Sequence, residues 1–389
     1  MSAAFEFDQL PKRRGSGSVK WDEDEQELIE LWVADMDFPS APAVIEALQR
    51  RALHGIYGYN HLLPAYYEAI CAWCLRHNQL RVKREEIIPT LGVIAALAAI
   101  FKALTLPGQQ VIMQTPAYNG FFPTLRNAGL EVLENPLTCK NGHYELDLED
   151  LERKAGSERA RVLLLANPHN PTGRLWSRAE LKAVAEIAYR HHLLVISDEI
   201  HCDIRPKDRV FTPFYNVMPE LEDRIITCFS ASKSFNLAGL QNAQIICRNP
   251  ELRTQINRAI NIYEICDTNV FASAATTAAF TEGEPWLDSM NAYIRKNFET
   301  LKQFLRDKLP YIGLTELEAT YLSWLDCRAL KLPAEELNAL LIKEGVRLSP
   351  GSQFSSRGEG YLRLNLATSN ERLLLGLERF ATVCNRIYH

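Results

Sequence analysis

The stretch IITCFSASKSFNLAG, residues Ile225 to Gly239, carries the decisive pattern of this sequence. The apolar run IITCF predicts a buried β-strand. Ser230 and Ser232 follow the strand and precede Lys233, so hydroxyl groups, backbone N–H groups and an amine would meet at the strand end. Burial lowers the pKa of a lysine, and the neutral amine is a nucleophile. Taken alone, the pattern is more often a solvated turn than a catalytic lysine.

Two earlier segments have the same form, a buried strand that ends in polar side chains. RVLLLANPHNPTGRLWS (161–177) is an apolar strand followed by a proline-rich loop, which would hold the amide of Asn170 rigidly. LLVISDEIHCDI (193–204) runs directly into Asp198, Glu199 and His201. A carboxylate at the end of a buried strand is costly unless a cation faces it. That cation is either a structural ion-pair partner or a protonated ring nitrogen.

Three further segments add candidate ligand contacts. EEIIPTLGVIAALAAIF (85–101) predicts a strand, a turn at Gly92 and a helix, and the N–H groups of such a helix start bind phosphate. VIMQTPAYNGFF (111–122) places Tyr118 after a strand, where it either stacks on a flat ring or packs in the core. YLRLN (361–365) puts Arg363 in a strand, where it either pairs on a sheet edge or binds a carboxylate through two hydrogen bonds.

The N-terminal part is polar except for LWVADMDFPSAP (31–42), a predicted short strand followed by Asp35 and Asp37. We interpret these acids as a surface turn, because no cluster of acids or histidines supports a metal site. The basic segment KRRGSGS (12–18) is interpreted as a solvated turn. HGIYGYN (54–60) predicts a loop whose tyrosines are either exposed for recognition or packed beneath the turn.

Composition indicates a water-soluble globular protein. The 389 residues are 47% hydrophobic and 23% charged, which favours one large domain with a smaller one. The net charge of −5, without a basic block, argues against a nucleic-acid partner. No apolar run reaches the ~18 residues of a membrane span, and the N-terminal residues lack the apolar core of a signal peptide. The nine scattered cysteines favour free thiols in a reducing compartment, so we expect a cytoplasmic protein with no membrane partner.

Apolar strands alternate with helical segments between about residues 90 and 250. This alternation predicts an α/β fold with a mostly parallel central sheet and helices on both faces. The functional loops then lie at the carboxyl ends of the strands. The pattern changes near residue 284, after which helices alternate with short strands. We predict a large domain at 46–284 and a smaller α+β domain formed by 1–45 and 285–389.

Four motifs follow one another along the chain: N-P-x-N-P-T-G, S-D-E-I-H, S-x-S-K-S-F-N and R-L-N. Together they resemble the fold-type I pyridoxal phosphate (PLP) enzymes of the class I/II aminotransferase superfamily. WVADMDF and the G-I-Y-G-Y loop make the chain similar to the MalY/PatB branch, the carbon–sulfur β-lyases that include cystathionine β-lyase. The resemblance covers nearly the whole chain from about residue 21.

The resemblance implies elimination of a thiol from cystathionine or a related cysteine S-conjugate, with release of pyruvate and ammonia. An aminotransferase acting on a small amino acid is the alternative, and it would need a keto acid. A non-catalytic module, such as half of a transcription regulator, is a third reading. The third reading is disfavoured, because the roughly 30 residues before WVADMDF contain no helix-turn-helix pattern.

The resemblance also implies a role for each candidate residue. Lys233 would bind PLP covalently and later move the substrate Cα proton. Arg363 would bind the substrate α-carboxylate, with Asn170, Trp32 and Ala34 also on the substrate side. The implied cofactor-binding residues are Lys233, Asp198 at the pyridine nitrogen, Tyr118 on the ring, Asn170 at the ring hydroxyl, His201, and Ser230, Ser232, Gly92, Val93 and Ile94 at the phosphate.

Two of the implied features set this branch apart from many aminotransferases. His201 stands where many aminotransferases have a tyrosine, and the arginine that often binds phosphate after the lysine is missing.

Tyr59 would reach the phosphate of a neighbouring subunit, which implies a homodimer with shared active sites. No metal is implied.

Overall fold

The computed structural model describes residues 5–23, 26–262, 264 and 266–388. The strands are, in chain order, β1 (Ile29–Glu30), β2 (Ile87–Thr90), β3 (Gln110–Thr115), β4 (Glu131–Pro136), β5 (Thr138–Lys140), β6 (His143–Glu145), β7 (Ala160–Ala166), β8 (Leu194–Asp198), β9 (Ile225–Phe229), β10 (Ala243–Cys247), β11 (Gly313–Leu314), β12 (Leu322–Asp326), β13 (Val346–Arg347), β14 (Ser349–Pro350) and β15 (Tyr361–Asn365).

The α-helices are α1 (Val19–Asp22), α2 (Pro42–Leu53), α3 (Pro64–Asn78), α4 (Val93–Leu104), α5 (Phe121–Asn127), α6 (Leu148–Ala155), α7 (Arg178–Arg190), α8 (Ala231–Ser234), α9 (Pro250–Ile262), α10 (Val270–Glu282), α11 (Glu284–Lys308), α12 (Ala334–Lys343) and α13 (Asn370–Tyr388). Short 3₁₀ helices cover Arg84–Glu86, Phe214–Asn216, Pro219–Arg224, Ala238–Leu240, Arg328–Leu330, Gly351–Phe354 and Ser356–Gly358.

A seven-stranded sheet forms the centre of the molecule, in the order β2-β10-β9-β8-β7-β3-β4. Its neighbouring strands are parallel except for β10, which runs antiparallel to both β2 and β9. The prediction of a mostly parallel central sheet is therefore confirmed. Parallel strands present all their carboxyl ends at one edge, which is where the loops of interest begin.

Side chains of the central strands alternate between two apolar cores. In β7, Val162 and Leu164 belong to one core cluster, while Leu163 and Leu165 belong to the other. Helices α4 and α9 cover the first face, and α7 contributes to the second. The near-continuous apolar run LLLA in the sequence arises because both faces of the strand are buried.

A second, antiparallel sheet has the order β11-β12-β15-β14. Helix α12 contacts β14 and β15, and α13 contacts both α11 and α12. The short strand β1 pairs in parallel with β13, which joins the N-terminal segment to this C-terminal part. The domain boundaries at residues 45 and 284 stay a prediction, although the central sheet lies within 87–247 and the second sheet within 313–365.

The interpretation of Asp35 and Asp37 as a surface turn is wrong for Asp37. Asp37 is not in a surface turn, because its side chain is fully buried and lies 3.1 Å from Lys20, 3.2 Å from Arg13 and 3.2 Å from Arg372. Arg13 also pairs with Asp35 at 2.8 Å, so the basic segment 12–18 is not simply solvated. The partners of Asp37 are 24, 17 and 335 positions away in the sequence, so no local pattern indicated that they would pair.

The strand predicted within 31–34 is also wrong. Strand β1 ends at Glu30, and a bend follows at residues 33–35. The carbonyls of Trp32, Val33 and Asp35 accept hydrogen bonds from the side chains of Arg363 and Asn365. In the described part of the chain, the helices are all too short or too polar to cross a membrane.

Candidate active site

A cavity of about 250 Å³ opens at the carboxyl ends of the parallel strands. Asp198 is the last residue of β8, while Asn170 and Lys233 lie in the segments that follow β7 and β9. Neighbouring parallel strands bring these distant parts of the sequence together. The predicted residues that line the cavity are Ala34, Gly92, Val93, Ile94, Tyr118, Asn170, Asp198, His201, Ser232 and Lys233.

Lys233 lies on the short helix α8, and its Nζ donates a hydrogen bond to the Ala34 carbonyl at 2.7 Å. Burial, helped by the positive charge of Arg363, lowers the pKa of Lys233 to about 8. A substantial fraction of the amine is therefore neutral near pH 7.5. This amine can act as a nucleophile towards a carbonyl and as a base.

Asp198 and Glu199 are neighbours with different surroundings. Glu199 accepts hydrogen bonds from the Ser197 hydroxyl and the Phe214 N–H, each at 2.9 Å, and does not line the cavity. Asp198 lines the cavity and accepts from the Ile200 N–H at 3.2 Å. Burial raises the pKa of Asp198 to about 7. Among the described residues it has no ion pair, so a cationic ring nitrogen would provide the missing partner.

Arg363 is held in place by other parts of the chain. Its Nη1 donates to Asn170 Oδ1 at 3.1 Å, and its Nη2 donates to the Trp32 carbonyl at 2.8 Å. The side chain is buried, and within the described residues its Nε–H has no hydrogen-bond partner. Burial lowers the pKa of Arg363 to about 10, so the guanidinium stays charged at neutral pH. A fixed, partly unsatisfied guanidinium fits a carboxylate ligand.

His201 is buried in the cavity wall, and its Nδ1 has no hydrogen-bond partner in the described part of the chain. Burial, with the charges of Lys233 and Arg363, lowers the pKa of His201 to about 3, so the imidazole is neutral. Tyr321 packs against this ring, with centroids 6.1 Å apart. The Tyr321 hydroxyl donates to the Ala34 carbonyl at 2.9 Å, the same atom that accepts from Lys233. The sequence analysis missed Tyr321, whose only signal was its place before the strand LSWLD.

The start of α4 and the segment Ser230 to Ser232, which we call the serine loop, lie at one end of the cavity. Gly92 precedes α4 with φ of +154°, a conformation that side chains with a Cβ rarely adopt. Ser232 lines the cavity. Ser230 does not: its hydroxyl donates to the Asn242 carbonyl at 2.6 Å and accepts from the Ser232 N–H at 3.0 Å. Any effect of Ser230 on a ligand would therefore act through the shape of this loop.

Tyr59 lies apart from the other predicted residues. Its side chain is fully exposed in the loop between α2 and α3, and it does not line the cavity of its own chain. Its predicted contact with a phosphate therefore requires a second copy of the chain.

The lining residues fit PLP. A buried lysine suits its aldehyde, the unpaired carboxylate of Asp198 suits its ring nitrogen, and a helix start suits its phosphate. Tyr118 lies in the wall, where burial raises the pKa of its hydroxyl, so a neutral aromatic ring faces the cavity. Across the described residues, there is no group of three or more His, Cys, Asp or Glu that could hold a metal ion.

Comparison with known proteins gives a consistent result. A family model described as aminotransferase class I and II matches residues 26–380. The chain is 38% identical over 379 residues to cystathionine beta-lyase PatB of Bacillus subtilis, which covers 96% of this chain and 98% of that protein. It is 29% identical over 381 residues to protein MalY of Escherichia coli, which covers 96% and 97%.

Solved structures also resemble the chain closely. Cystalysin from Treponema denticola, which contains a pyridoxal 5′-phosphate cofactor, superimposes with a TM-score of 0.95 at 31% identity and covers 98% of this chain and 99% of that one. The PLP-bound C–S lyase from Staphylococcus hominis superimposes with a TM-score of 0.92 at 33% identity, again covering 98% and 99%.

Proposed function

Because this chain belongs to the class I and II aminotransferase family, we propose that it is a PLP-dependent carbon–sulfur β-lyase. Its substrates are cystathionine or related cysteine S-conjugates, which react with water to give a thiol, pyruvate and ammonia. The observation that carries the proposal is the convergence of Lys233 and Asp198 on one cavity, with Arg363 bonded to Asn170 in its wall. The likeness to lyases along nearly the full chain favours elimination over amino transfer.

PLP, when bound, supplies an aldehyde that joins the substrate amine and a ring that withdraws electrons from the substrate Cα. Asp198 would accept a hydrogen bond from the ring nitrogen and would stabilise the protonated form of that nitrogen. The pKa of Asp198, raised by burial to about 7 in the single chain, falls when a cation faces it. Tyr118, Asn170 and His201 line the cavity, where Tyr118 would stack on the ring and the other two would contact the cofactor.

Arg363 positions the substrate. Its guanidinium binds the α-carboxylate, and its fixed contacts with Asn170 and Trp32 determine where that carboxylate lies. Orientation of the Cα–H bond relative to Lys233 follows from this anchor. Lys233 Nζ, of which a fraction is neutral because burial lowers its pKa to about 8, then removes the proton from Cα. The electron pair of the Cα–H bond forms a Cα–Cβ double bond as the Cβ–S bond breaks, and the thiolate takes up a proton. Water then converts the released enamine to pyruvate and ammonia.

The deciding experiment measures products from cystathionine alone. Purified protein is incubated with cystathionine in the absence of any keto acid, and pyruvate and free thiol are quantified. A β-lyase releases one thiol for each pyruvate. If thiol fails to appear and the amino group moves to an added keto acid, the protein is an aminotransferase, the alternative that the same residues would serve.

We also propose that the active unit is a homodimer. Several large apolar side chains are exposed around the loop that joins α2 to α3; these are Leu53, Ile56, Tyr57, Tyr59 and Leu63. An exposed apolar patch of this kind is typical of an interface. A second copy would cover the patch, and Tyr59 would then contribute to the partner's phosphate site.

The place of action that we propose is the cytoplasm. All nine cysteines are free thiols. Free thiols in this number are typical of a reducing compartment. Fractionation of cells that express the protein, followed by detection in the cytoplasmic fraction, tests this proposal, and recovery outside the cytoplasm would contradict it.

A further inference from the structure

The proposed phosphate end of the cavity is poor in positive charge. Within the described residues, the only cationic side chain that lines the cavity is Lys233, which the proposed function assigns to the cofactor aldehyde. Arg363 is bound to Asn170 and Trp32, on the proposed substrate side. A phosphate at the start of α4 therefore has to be held by neutral hydrogen-bond donors.

Asn242 lies at this end of the cavity. It directly precedes β10, in which Ala243 pairs with Thr90 of β2, so it lies beside the turn that leads through Gly92 into α4. Its carbonyl accepts the hydrogen bond from the Ser230 hydroxyl at 2.6 Å, which ties it to the serine loop as well. Asn242 is itself one of the residues that line the cavity.

The two ends of the Asn242 amide have different surroundings. Its Oδ1 accepts from the Tyr66 hydroxyl at 3.0 Å, from Gln244 Nε2 at 2.8 Å and from the Thr276 hydroxyl at 3.0 Å. Its Nδ2 is buried and has no hydrogen-bond partner in the described part of the chain, although the residue is only 7% exposed. An unsatisfied buried donor is costly, and one that belongs to a residue of the cavity lining is a candidate to bind the ligand.

We propose that Asn242 is a cofactor-binding residue whose Nδ2–H group donates to the phosphate of PLP. The three donors on Oδ1 hold the amide in one orientation and leave Nδ2 as its unpaired end. A hydrogen bond from a neutral amide to a phosphate oxygen is charge-assisted and strong without any arginine. The proposal rests on the proposed function only in requiring that the cavity bind PLP.

The test compares PLP with pyridoxal, which lacks the phosphate, as ligands for the full-length apoenzyme. Asn242→Asp keeps an oxygen for the three internal donors and replaces only the unpaired NH₂ group with a second oxygen. We expect its dissociation constant for PLP to rise about a hundredfold, because a donor to an anion becomes a negative charge. Binding of pyridoxal, measured by the same absorbance titration, should stay within about twofold.

Asn242→Ala, which adds no charge, should show the same selective loss at about tenfold. This second variant decides the question if the aspartate variant fails to fold. An unchanged affinity for PLP, or an equal loss for PLP and pyridoxal, overturns the role of Asn242 at the phosphate. Failure of the unaltered protein to bind PLP at all would instead overturn the proposed function, so the two failures are distinguishable.

Discussion

Replacement of Arg363 by alanine separates substrate binding from cofactor binding. Three of its five N–H groups are donated to Asn170, Trp32 and Ser349, which leaves Nε–H and one other for a ligand. Two charge-assisted hydrogen bonds to a carboxylate are worth about 3–6 kcal/mol. The expected loss in kcat/KM is therefore about 10²- to 10⁴-fold.

Both kinetic constants should change in Arg363→Ala. KM rises because the carboxylate loses its partner, and kcat falls because the same anchor orients the Cα–H bond towards Lys233. Absorbance of the bound cofactor should remain normal, since Arg363 is not among the residues that line the cofactor cavity. Arg363→Lys should recover only part of the activity, because an ammonium group cannot reproduce the planar guanidinium.

The assay measures pyruvate release from cystathionine over a range of concentrations, alongside the cofactor spectrum. Arg328→Ala is the matched control, since Arg328 is an exposed arginine paired with Asp326 at 2.6 Å and lies outside the cavity lining. Its kinetics should be unchanged. If Arg363→Ala released the cofactor and left KM unaltered, Arg363 would be a cofactor-binding or structural residue, and the proposed placement of the substrate would be wrong.

Three further predictions concern the lysine, the dimer and the buried acid. Lys233→Ala should abolish both thiol release and trapping of PLP by borohydride; elimination at the unaltered rate would contradict its assignment. Mixing Tyr59→Phe subunits with Lys233→Ala subunits should give more activity than either variant alone, because one site in each mixed dimer carries neither change. Full activity of a monomer would contradict the proposal that two subunits share each active site. Burial raises the pKa of Asp37, but Lys20 and Trp21 outweigh it and lower that pKa overall, so its stabilisation is present above about pH 4 and lost as pH falls further. Asp37→Asn should therefore lower the melting temperature at pH 7 and reduce the fall of the melting temperature as the pH drops below about 4. A melting temperature equal to that of the unaltered protein at both pH values would contradict this.

Much of the central sheet could be predicted from the sequence. Strands β7, β8 and β9 are short apolar runs that end in polar residues, and each run is bounded by turns or helices. Because parallel strands end at one edge, the sequence also predicted that Asn170, Asp198 and Lys233 meet there. This part of the prediction needed only local pattern and one topological rule.

Glycines near the C-terminus show where local pattern fails. The sequence SPGSQFSSRGEG (349–360) has the glycine- and serine-rich composition typical of a mobile loop, yet it contains β14 and two 3₁₀ helices. An added Cβ on Gly351 would lie 2.1 Å from the Gly358 carbonyl oxygen, and one on Gly358 would lie 2.0 Å from the Gly351 carbonyl oxygen. These glycines permit two backbone segments to touch. Composition cannot distinguish such close packing from flexibility.

The segment 31–38, which contains the bend at residues 33–35, explains why the other contacts of the site could not be predicted from the sequence. Its carbonyls accept from distant side chains: Trp32 from Arg363, Ala34 from both Lys233 and Tyr321. Asn365 Nδ2 donates to two more of its carbonyls, each at 2.6 Å. These donors come from the segments after β9, before β12 and within β15, and nothing local in the sequence pairs them with a bend near the N-terminus.

The proposed base, Lys233, lies on helix α8, and the proposed substrate anchor, Arg363, lies in strand β15. Both donate hydrogen bonds to carbonyls only two residues apart, at Ala34 and Trp32. Their relative position is therefore determined by one short piece of backbone. The buried charge of Asp37, held by Lys20, anchors the next turn of that backbone. A change in the N-terminal ion pairs should therefore alter the distance between Lys233 and the bound substrate without any change to Lys233 or Arg363. Proton transfer is sensitive to displacements of less than about 1 Å between the reacting atoms.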